Sequence, residues 1–341
     1  MPKTRNLDLT LYGASGFTGR QAAAYLRDHA TPDLRWALAG RDEKKLAALK
    51  TDLQLPTDVE VAVAASQDGP AIDRMAERTR VILSTAGPFA LHGEPVVGAC
   101  VRNQTDYVDI TGETTWARDM IDRYHETAVS SATKIVHFCG FDSVPSDLGT
   151  LMVADELKRL GQACQEVKAF IATSGGLNGG TAASVLNIQR SGQGSRMRDP
   201  FLLNPDHTGT QSGDQRDPVA PVYDGDLQTW VGPFVMGPVN TRVVRRSAAL
   251  FHQWHEGYGP NFCYQEYAEV GGPVPWLSAS MLASSMAFYQ VYSQVPGARR
   301  TDRSVGPEAG VRTFRARNGR GILPLSVRRD RNRRIEGLGP Y

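Results

Sequence analysis

Three glycines near the start of the sequence have the spacing of a phosphate-binding turn. Gly13, Gly16 and Gly19 follow the apolar run that begins at Leu7, and a helical pattern from Arg20 to His29 comes directly after them. Gly13 allows a sharp turn off a strand, Gly16 lets the backbone approach a phosphate without a Cβ, and Gly19 allows close packing of helix on strand. The N–H groups at the helix start then face the anion. The residues predicted to bind a dinucleotide here are Gly13, Ala14, Ser15, Gly16, Phe17, Thr18 and Gly19. An ordinary strand-to-helix turn is the alternative interpretation.

The segment Thr85, Ala86, Gly87 and Pro88 is the second predicted part of this nucleotide site. It follows the predicted fourth strand, Val81–Ser84, and is therefore expected at the carboxyl edge of a parallel sheet, where nucleotides bind. Gly87 and Pro88 are expected to shape a backbone wall beside the cofactor. A purely structural turn is the alternative.

The end of the second predicted strand indicates which dinucleotide binds. NAD enzymes usually carry an Asp or Glu there, which accepts hydrogen bonds from the ribose hydroxyls. This chain has Gly40 and Arg41 instead, followed by Lys44 and Lys45. No carboxylate then repels a 2′-phosphate, and the planar guanidinium of Arg41 can bind one. The sequence therefore favours NADP, and NAD is the alternative cofactor. The alternative explanation of Arg41, Lys44 and Lys45 is structural: they form the solvated start of a helix.

Alternating strand and helix patterns predict the elements that position these residues. After the glycine turn, strands are predicted at 35–39, 59–64, 81–84, 107–110 and 134–138, and helices at 42–53, 68–78, 94–103 and 115–131. This alternation predicts a Rossmann-type parallel sheet with helices on both faces over residues 1–145.

Beyond Ser146 the alternation gives way to a predicted α+β substrate domain, residues 146–298. Helices are predicted at 147–160, 181–190 and 277–292, and strands at 167–173, 241–244 and 263–270. A glycine turn at 175–180 precedes the second of these helices, and the long segment 192–226 is rich in Gly, Pro, Asp and Ser. A loop of that length is typical of a functional lid or a disordered segment.

The composition limits the class of protein. The 341 residues are 41% hydrophobic and 22% charged, which is an ordinary composition for a globular protein. The chain is long enough for two domains. Four scattered cysteines without a CxxC pair, and no secretory signal, predict a reduced, cytoplasmic setting. No metal site is predicted, although His252, His255 and Glu256 lie close in sequence. No apolar run reaches the length of about 18 residues that a transmembrane span needs.

Four stretches of the sequence carry a family resemblance. They are GASGFTG at 13–19, AGRDEKKL at 39–46, STAGPFALHGEPVVGACV at 84–101 with YVDITGE at 107–113, and GFDSVPSDLG at 140–149. Weaker support comes from GGTAAS at 179–184 and PFVMGPVNTRVVRRS at 233–247. The sequence resembles the saccharopine dehydrogenase-like oxidoreductases and, within them, the trans-acting enoyl reductases.

This resemblance implies an NAD(P)-dependent reductase that acts on an enoyl double bond. The implied substrate is a small-molecule or carrier-bound acyl group, a lipid or polyketide intermediate held by a separate synthase. A homodimer and a position at the membrane periphery are further expectations, and no specific nucleic acid is expected as a partner. Two alternatives stay open: a saccharopine-type dehydrogenase of an amino acid or imine, and a non-catalytic nucleotide-binding protein.

Four residues are candidates for the chemistry because such a reduction needs a proton donor and a hydrogen-bond donor to the substrate carbonyl. Glu113 follows the predicted fifth strand, Asp142 and Ser143 follow the sixth, and His92 follows the fourth. Each has a structural alternative: Asp142 caps a helix, Glu113 braces its loop, or His92 is simply exposed. No Tyr-x-x-x-Lys pair occurs, and Ser143 lacks the G-x-S-x-G frame of a hydrolase.

The last stretch, residues 299–341, is predicted to be a basic and poorly packed tail. It contains twelve arginines, no lysine and four acidic residues, so its net charge is +8 and that of the preceding residues is −6. A truncated chain with an altered reading frame at its end is one interpretation, and it leaves the substrate domain incomplete and the activity in doubt. A basic arm for an anionic carrier, nucleic acid or membrane surface is the other.

Overall fold

The computed structural model describes residues 5–172, 193–205, 215–292, 311–318, 321–328 and 336–337. The chain divides into two compact units, Met1–Gly140 and Phe141–Tyr341. The predicted helix at 181–190 and the glycine turn before it lie outside the described residues.

The first unit alternates strands with helices along its whole length. Its elements are β1 (Leu7–Tyr12), α1 (Phe17–His29), β2 (Trp36–Gly40), α2 (Glu43–Asp52), β3 (Glu60–Val63), α3 (Gly69–Arg78), β4 (Thr79–Ser84), α4 (Phe89–His92), α5 (Glu94–Asn103), β5 (Asp106–Asp109), α6 (Thr114–Ser130) and β6 (Ile135–Val136). All its strand pairs are parallel, in the order β3-β2-β1-β4-β5-β6. The strand order reverses between β1 and β4, and the crevice at such a point is where ligands bind in open α/β sheets.

Local chemistry explains why these elements form. β2 is buried along all five of its residues, as expected of a strand covered on both faces, and Leu11, Leu38 and Leu46 belong to one apolar core. The Asp42 side chain accepts a hydrogen bond from the Lys45 N–H at the start of α2, and Asp68 caps α3 in the same way. The predicted Rossmann-type sheet flanked by helices is therefore confirmed.

The second unit contains a separate mixed sheet. Its elements are α7 (Val144–Arg159), β7 (Glu166–Ala172), a 3₁₀ helix (Gln193–Arg198), β8 (Val222–Asp224), β9 (Thr229–Pro233), α8 (Gly237–Gln253), β10 (Cys263–Glu269), α9 (Pro275–Tyr292), β11 (Val311–Asn318), β12 (Gly321–Arg328) and β13 (Glu336–Gly337). The sheet order is β13-β12-β11-β7-β10-β9-β8. Only the pair β7 and β10 is parallel among its described strand pairs. An apolar core joins α7, α8, β7 and β10, which agrees with the predicted α+β class.

The predicted strand at Thr241–Val244 is wrong, because these residues lie inside the helix α8. Thr241, Val244 and Ala248 are buried at helical spacing, so one face of the helix supplies the core. A short β-branched run satisfies a strand pattern and a buried helix face equally well, and packing decided between them.

Strands also occur where none were predicted. β8 and β9 lie in and after the long Gly- and Pro-rich segment, and β9 pairs with the edge of β10. In the predicted tail, β11 pairs antiparallel with β7 over seven residue pairs, from Val311↔Ala172 to Arg317↔Glu166. The described residues 311–318, 321–328 and 336–337 therefore extend the sheet of the second unit.

Candidate functional site

The glycine turn leaves the start of α1 open. Gly16 is the N-cap of α1 in an extended conformation, and no side chain caps the helix. A Cβ built at Gly16 would meet only the carbonyl oxygen of Gly13, at 3.3 Å. The turn therefore presents uncapped helix N–H groups at an exposed surface, which is the arrangement that binds a phosphate.

The other two glycines are required by close backbone contacts. Gly13 has a φ of +83°, and a Cβ there would lie 2.8 Å from the backbone nitrogen of Ala86. A Cβ at Gly19 would lie 2.7 Å from the Cα of Ala14, since the helix packs directly on the turn. These contacts make Gly13 and Gly19 structural requirements and leave Gly16, whose Cβ position meets a single atom, as the least crowded of the three.

The segment after β4 forms the second wall of the crevice between β1 and β4. The Thr85 N–H donates to the carbonyl oxygen of Tyr12 at 2.8 Å. Its hydroxyl donates to the carbonyl oxygens of Tyr12 at 3.1 Å and Gly13 at 3.2 Å. Since Ala86 also lies against Gly13, the loop is joined to the glycine turn. The structure thus brings residues 13–19 and 85–88 together.

Arg41 lies at the carboxyl end of β2, next to the same crevice. The Arg41 side chain is exposed, whereas the neighbouring Gly40 is buried, with its Cβ position 3.7 Å from Leu46. Burial raises the pKa of Tyr12, and the positive charge of Arg41 acts in the opposite direction. Arg41 is therefore close enough to the end of β1 to influence a group beside the glycine turn.

Glu113 is buried and holds the loop that follows β4. Its side chain is 1% exposed, and its two carboxylate oxygens accept the N–H groups of Phe89 at 2.8 Å and Ala90 at 3.0 Å. The Glu113 N–H donates to the hydroxyl of Thr111 at 3.0 Å. The side chain of Glu113 is thus joined to Phe89 and Ala90, directly after the predicted nucleotide loop.

A buried Asp109–His137 pair was missed by the sequence reasoning. Nδ1 of His137 lies 2.7 Å from Oδ2 of Asp109, and Oδ1 of Asp109 accepts the N–H groups of Thr111 and Phe138. The His137 ring packs against the rings of Tyr107 and Trp116. An aspartate inside the apolar run of a predicted strand was the available signal, because a buried carboxylate needs several donors.

His92 ends α4, the same short helix whose first N–H groups Glu113 accepts. Its Nδ1 lies 3.3 Å from the hydroxyl of Ser66, in the loop after β3. The His92 N–H donates to the carbonyl oxygen of Pro88 at 3.2 Å, so His92 contacts both the loop after β3 and the loop after β4.

Asp142 and Ser143 belong to the second unit, just before α7. Asp142 is exposed, whereas Ser143 is buried and its hydroxyl donates to Oδ1 of Asn240 at 2.8 Å. Asn240 in turn donates to Oε2 of Glu266 at 2.9 Å, and Oε1 of Glu266 accepts the hydroxyl of Tyr264 at 2.7 Å. Ser143 is therefore part of a buried polar network around one carboxylate.

Asp147, one turn into α7, carries a second buried carboxyl group. Its Oδ2 accepts the hydroxyl of Ser247 at 3.0 Å, whereas its Oδ1 is buried and has no hydrogen-bond partner among the described residues. This burial raises the pKa of Asp147 to about 6. The protonated form of the carboxyl group is therefore favoured inside the folded unit.

Comparison with known proteins places this geometry in a family. Residues 9–136 match the saccharopine dehydrogenase NADP binding domain. The trans-acting enoyl reductase of Mycobacterium tuberculosis strain H37Rv is 34% identical over 304 residues, which cover 84% of this chain and 70% of that protein. The chain belongs to the trans-acting enoyl reductase family. A second protein of that strain, provisionally given the same name, is 37% identical over 289 residues, covering 79% of this chain and 67% of that protein.

Two solved structures align with the chain at low identity. GenD2 from gentamicin A biosynthesis, solved in complex with NAD, aligns over 96% of this chain and 74% of its own with a TM-score of 0.41 and 16% identity. The saccharopine dehydrogenase of Saccharomyces cerevisiae aligns over 50% of this chain and 36% of its own, with a TM-score of 0.41 and 18% identity.

Family membership and geometry agree on the cofactor. The chain is an NAD(P)-dependent oxidoreductase whose first unit is an NADP-binding domain. The residues present fit that group, because the open helix start at Gly16 suits a pyrophosphate and the exposed Arg41 suits a 2′-phosphate.

Two negative findings complete the description. In the described ranges no helix is long and apolar enough to cross a membrane. The same residues contain no cluster of three or more His, Cys, Asp and Glu side chains suited to hold a metal ion.

Proposed function

We propose that this protein reduces the carbon–carbon double bond of an enoyl group, using NADPH, on an acyl chain that a separate synthase carries. The observation that supports the proposal most is the joined pair of loops at the reversal of strand order, in a chain whose relatives are named trans-acting enoyl reductases. The lipid or polyketide nature of the acyl chain is part of the proposal.

The residues of the first unit would hold the two ends of the cofactor. The start of α1 binds the pyrophosphate, and Arg41 binds the 2′-phosphate beyond β2. The loop Thr85–Pro88, next to β4, then lies on the nicotinamide side of the turn. When bound, NADPH supplies the hydride.

The protein must also direct a proton to the reduced substrate. His92 contacts Ser66 in the loop after β3 and Pro88 in the predicted nucleotide loop, so we assign it to cofactor binding. The buried hydroxyl of Ser143 is held by Asn240, which supports a structural role. Asp142, the exposed member of the predicted set, is the side chain we propose to test as proton donor.

The assembly is proposed on the same basis. The term trans-acting, in the names of the relatives, describes action from outside a synthase, so we propose a synthase or its carrier as the partner. A homodimer, a cytoplasmic location and contact with a membrane surface stay predictions.

The test is oxidation of NADPH by the purified chain in the presence of an enoyl thioester. We expect turnover with the enoyl thioester, none with the saturated thioester, and loss of turnover in Gly16→Val. Asp142→Asn should lower kcat with little effect on the affinity for NADPH. Oxidation of NADPH with an imine and none with enoyl thioesters would refute the proposal in favour of a saccharopine-type dehydrogenase.

A further inference from the structure

We propose that Asp109 and Glu113 form a buried brace that sets the position of the loop before α4 and thereby the affinity for the nicotinamide half of NADPH. This proposal assigns Glu113 a positioning role in place of proton transfer. It rests on the proposed cofactor site for its effect on binding, while the brace itself is a property of the folded first unit.

The Glu113 side chain, although distant in sequence, supplies hydrogen-bond acceptors for the first N–H groups of α4. The N-cap of α4 is Pro88, which has no side-chain hydrogen bond, and the N–H groups of Phe89 and Ala90 begin the helix. Each of these N–H groups donates to a different oxygen of Glu113, at 2.8 and 3.0 Å. A carboxylate that receives one backbone donor on each oxygen fixes both the distance and the rotation of the segment it holds.

Asp109 anchors the brace to the sheet. It is fully buried at the end of β5, and Oδ1 accepts the N–H of Thr111 at 3.1 Å. The hydroxyl of Thr111 accepts the Glu113 N–H at 3.0 Å, so the two carboxylates are joined through one residue. Oδ2 of Asp109 also lies 2.7 Å from Nδ1 of His137, and Oδ1 accepts the Phe138 N–H at 3.2 Å. These bonds connect the ends of β5 and β6.

An apolar contact supports the same loop. The Phe89 ring lies 5.5 Å from the ring of Trp116, which is buried near the start of α6. Gly87 faces Phe89, with its Cβ position 3.6 Å from that ring. The segment 85–90 is thus held by Glu113 at one end and by the glycine turn at the other, through Thr85.

The position of the brace in the sheet predicts which part of the cofactor it affects. The brace acts on the loop after β4, whereas Arg41 lies beyond β2, on the other side of β1. The compound 2′,5′-ADP contains the 2′-phosphate and the adenosine but lacks the nicotinamide. Displacing the loop after β4 should therefore weaken NADPH and leave 2′,5′-ADP unaffected.

Glu113→Gln is the decisive variant. The amide has nearly the same shape, but its NH₂ group would face a backbone N–H and leave one donor without an acceptor. We expect the Kd of NADPH to rise about tenfold, which is the size of one lost charge-assisted hydrogen bond. The Kd of 2′,5′-ADP should change little. The melting temperature should fall by a few degrees because one buried backbone N–H loses its acceptor, and amide exchange should increase at Phe89 and Ala90. Glu94→Gln is the matched control, since Glu94 pairs with Arg123 at the surface.

Three results would overturn the brace. Equal weakening of NADPH and 2′,5′-ADP together with a much lower melting temperature would indicate a general loss of structure. Unchanged binding of both ligands would show that the loop does not depend on Glu113. Lost turnover with unchanged NADPH affinity and unchanged amide exchange would indicate that Glu113 takes part in proton transfer. If the wild-type chain fails to bind NADPH, the proposed function fails, and amide exchange still tests the brace.

Discussion

Replacement of Arg41 tests how the protein distinguishes NADPH from NADH. Arg41 follows β2 directly, is exposed, and lies where NAD enzymes carry an acidic residue. Arg41→Gln removes the guanidinium but adds no charge. Arg41→Asp also places a negative charge near the 2′-phosphate.

The expected loss follows from the exposure of the side chain. Hydrogen bonds to charged groups contribute about 1.5–3 kcal/mol, and the lower half applies at an exposed position because water screens the charge. For Arg41→Gln we therefore expect about 1.5–2 kcal/mol, a rise of about 10- to 30-fold in the Kd of NADPH. Arg41→Asp should reach about 3 kcal/mol, because like charges then repel. The Kd of NADH should change by less than about twofold in either variant, since NADH lacks the phosphate.

Nicotinamide fluorescence during titration with NADPH and with NADH measures both constants. Lys45→Gln is the control, because Lys45 is an exposed cation on the same segment whose Nζ lies 3.9 Å from Asp42. Equal losses for NADPH and NADH would mean that Arg41 supports the fold. If Lys45→Gln lowers the affinity for NADPH as much as Arg41→Gln does, the phosphate is attracted by general positive charge and is not bound specifically by the guanidinium.

Three further predictions concern the turn and the second unit. Gly16→Val should abolish NADPH binding with an unchanged circular dichroism spectrum, because the turn has space for a side chain only where the pyrophosphate lies. Gly69→Val is the control and should bind NADPH normally, because no atom lies within 4 Å of the Cβ position of Gly69. Because the pKa of Asp147 is raised in the folded protein, the stability of wild type falls as pH rises from about 4 to about 6. Asp147→Asn should therefore raise the free energy of unfolding in urea by about 2–3 kcal/mol at about pH 7.5 and leave it unchanged near pH 4. An equal gain at both pH values would contradict that assignment. Asn240→Ala should lower the free energy of unfolding by about 3 kcal/mol, since it leaves the buried Glu266 with fewer donors, and a loss below about 1 kcal/mol would show that the network is dispensable.

The sequence predicted the first unit well because its signals are local. A glycine turn, a capping aspartate and an apolar strand are each read from a few neighbouring residues. The segments from β1 to α6 were found within a few positions of their observed ends, except the short helix α4, which was not predicted. The parallel direction of the strands then follows from the alternation of strands and helices.

The side-chain partners could not be predicted in this way. Glu113 bonds to backbone groups 23 and 24 positions earlier, and Asp109 bonds to a histidine 28 positions later. No pattern within a single element encodes such pairs, because they form only when the loops after β4, β5 and β6 meet. The same reason explains the error at Thr241–Val244, where packing against the second sheet made a helix of a run that also satisfied the strand pattern.

The contact between Gly13 and Ala86 has a consequence for the order in which the protein becomes competent during synthesis. The glycine turn is held by β2, since the N–H groups of Gly13 and Ala14 donate to the carbonyl oxygen of Ala39. Its other wall is formed by Ala86 and by Thr85, whose hydroxyl reaches the carbonyl oxygens of Tyr12 and Gly13 only after β4 has inserted beside β1. Strands β2 and β3 must be made first, although they lie on the far side of β1. A growing chain can therefore fix the glycine turn against β2 before its second wall exists, and its ability to hold a dinucleotide begins when β4 arrives.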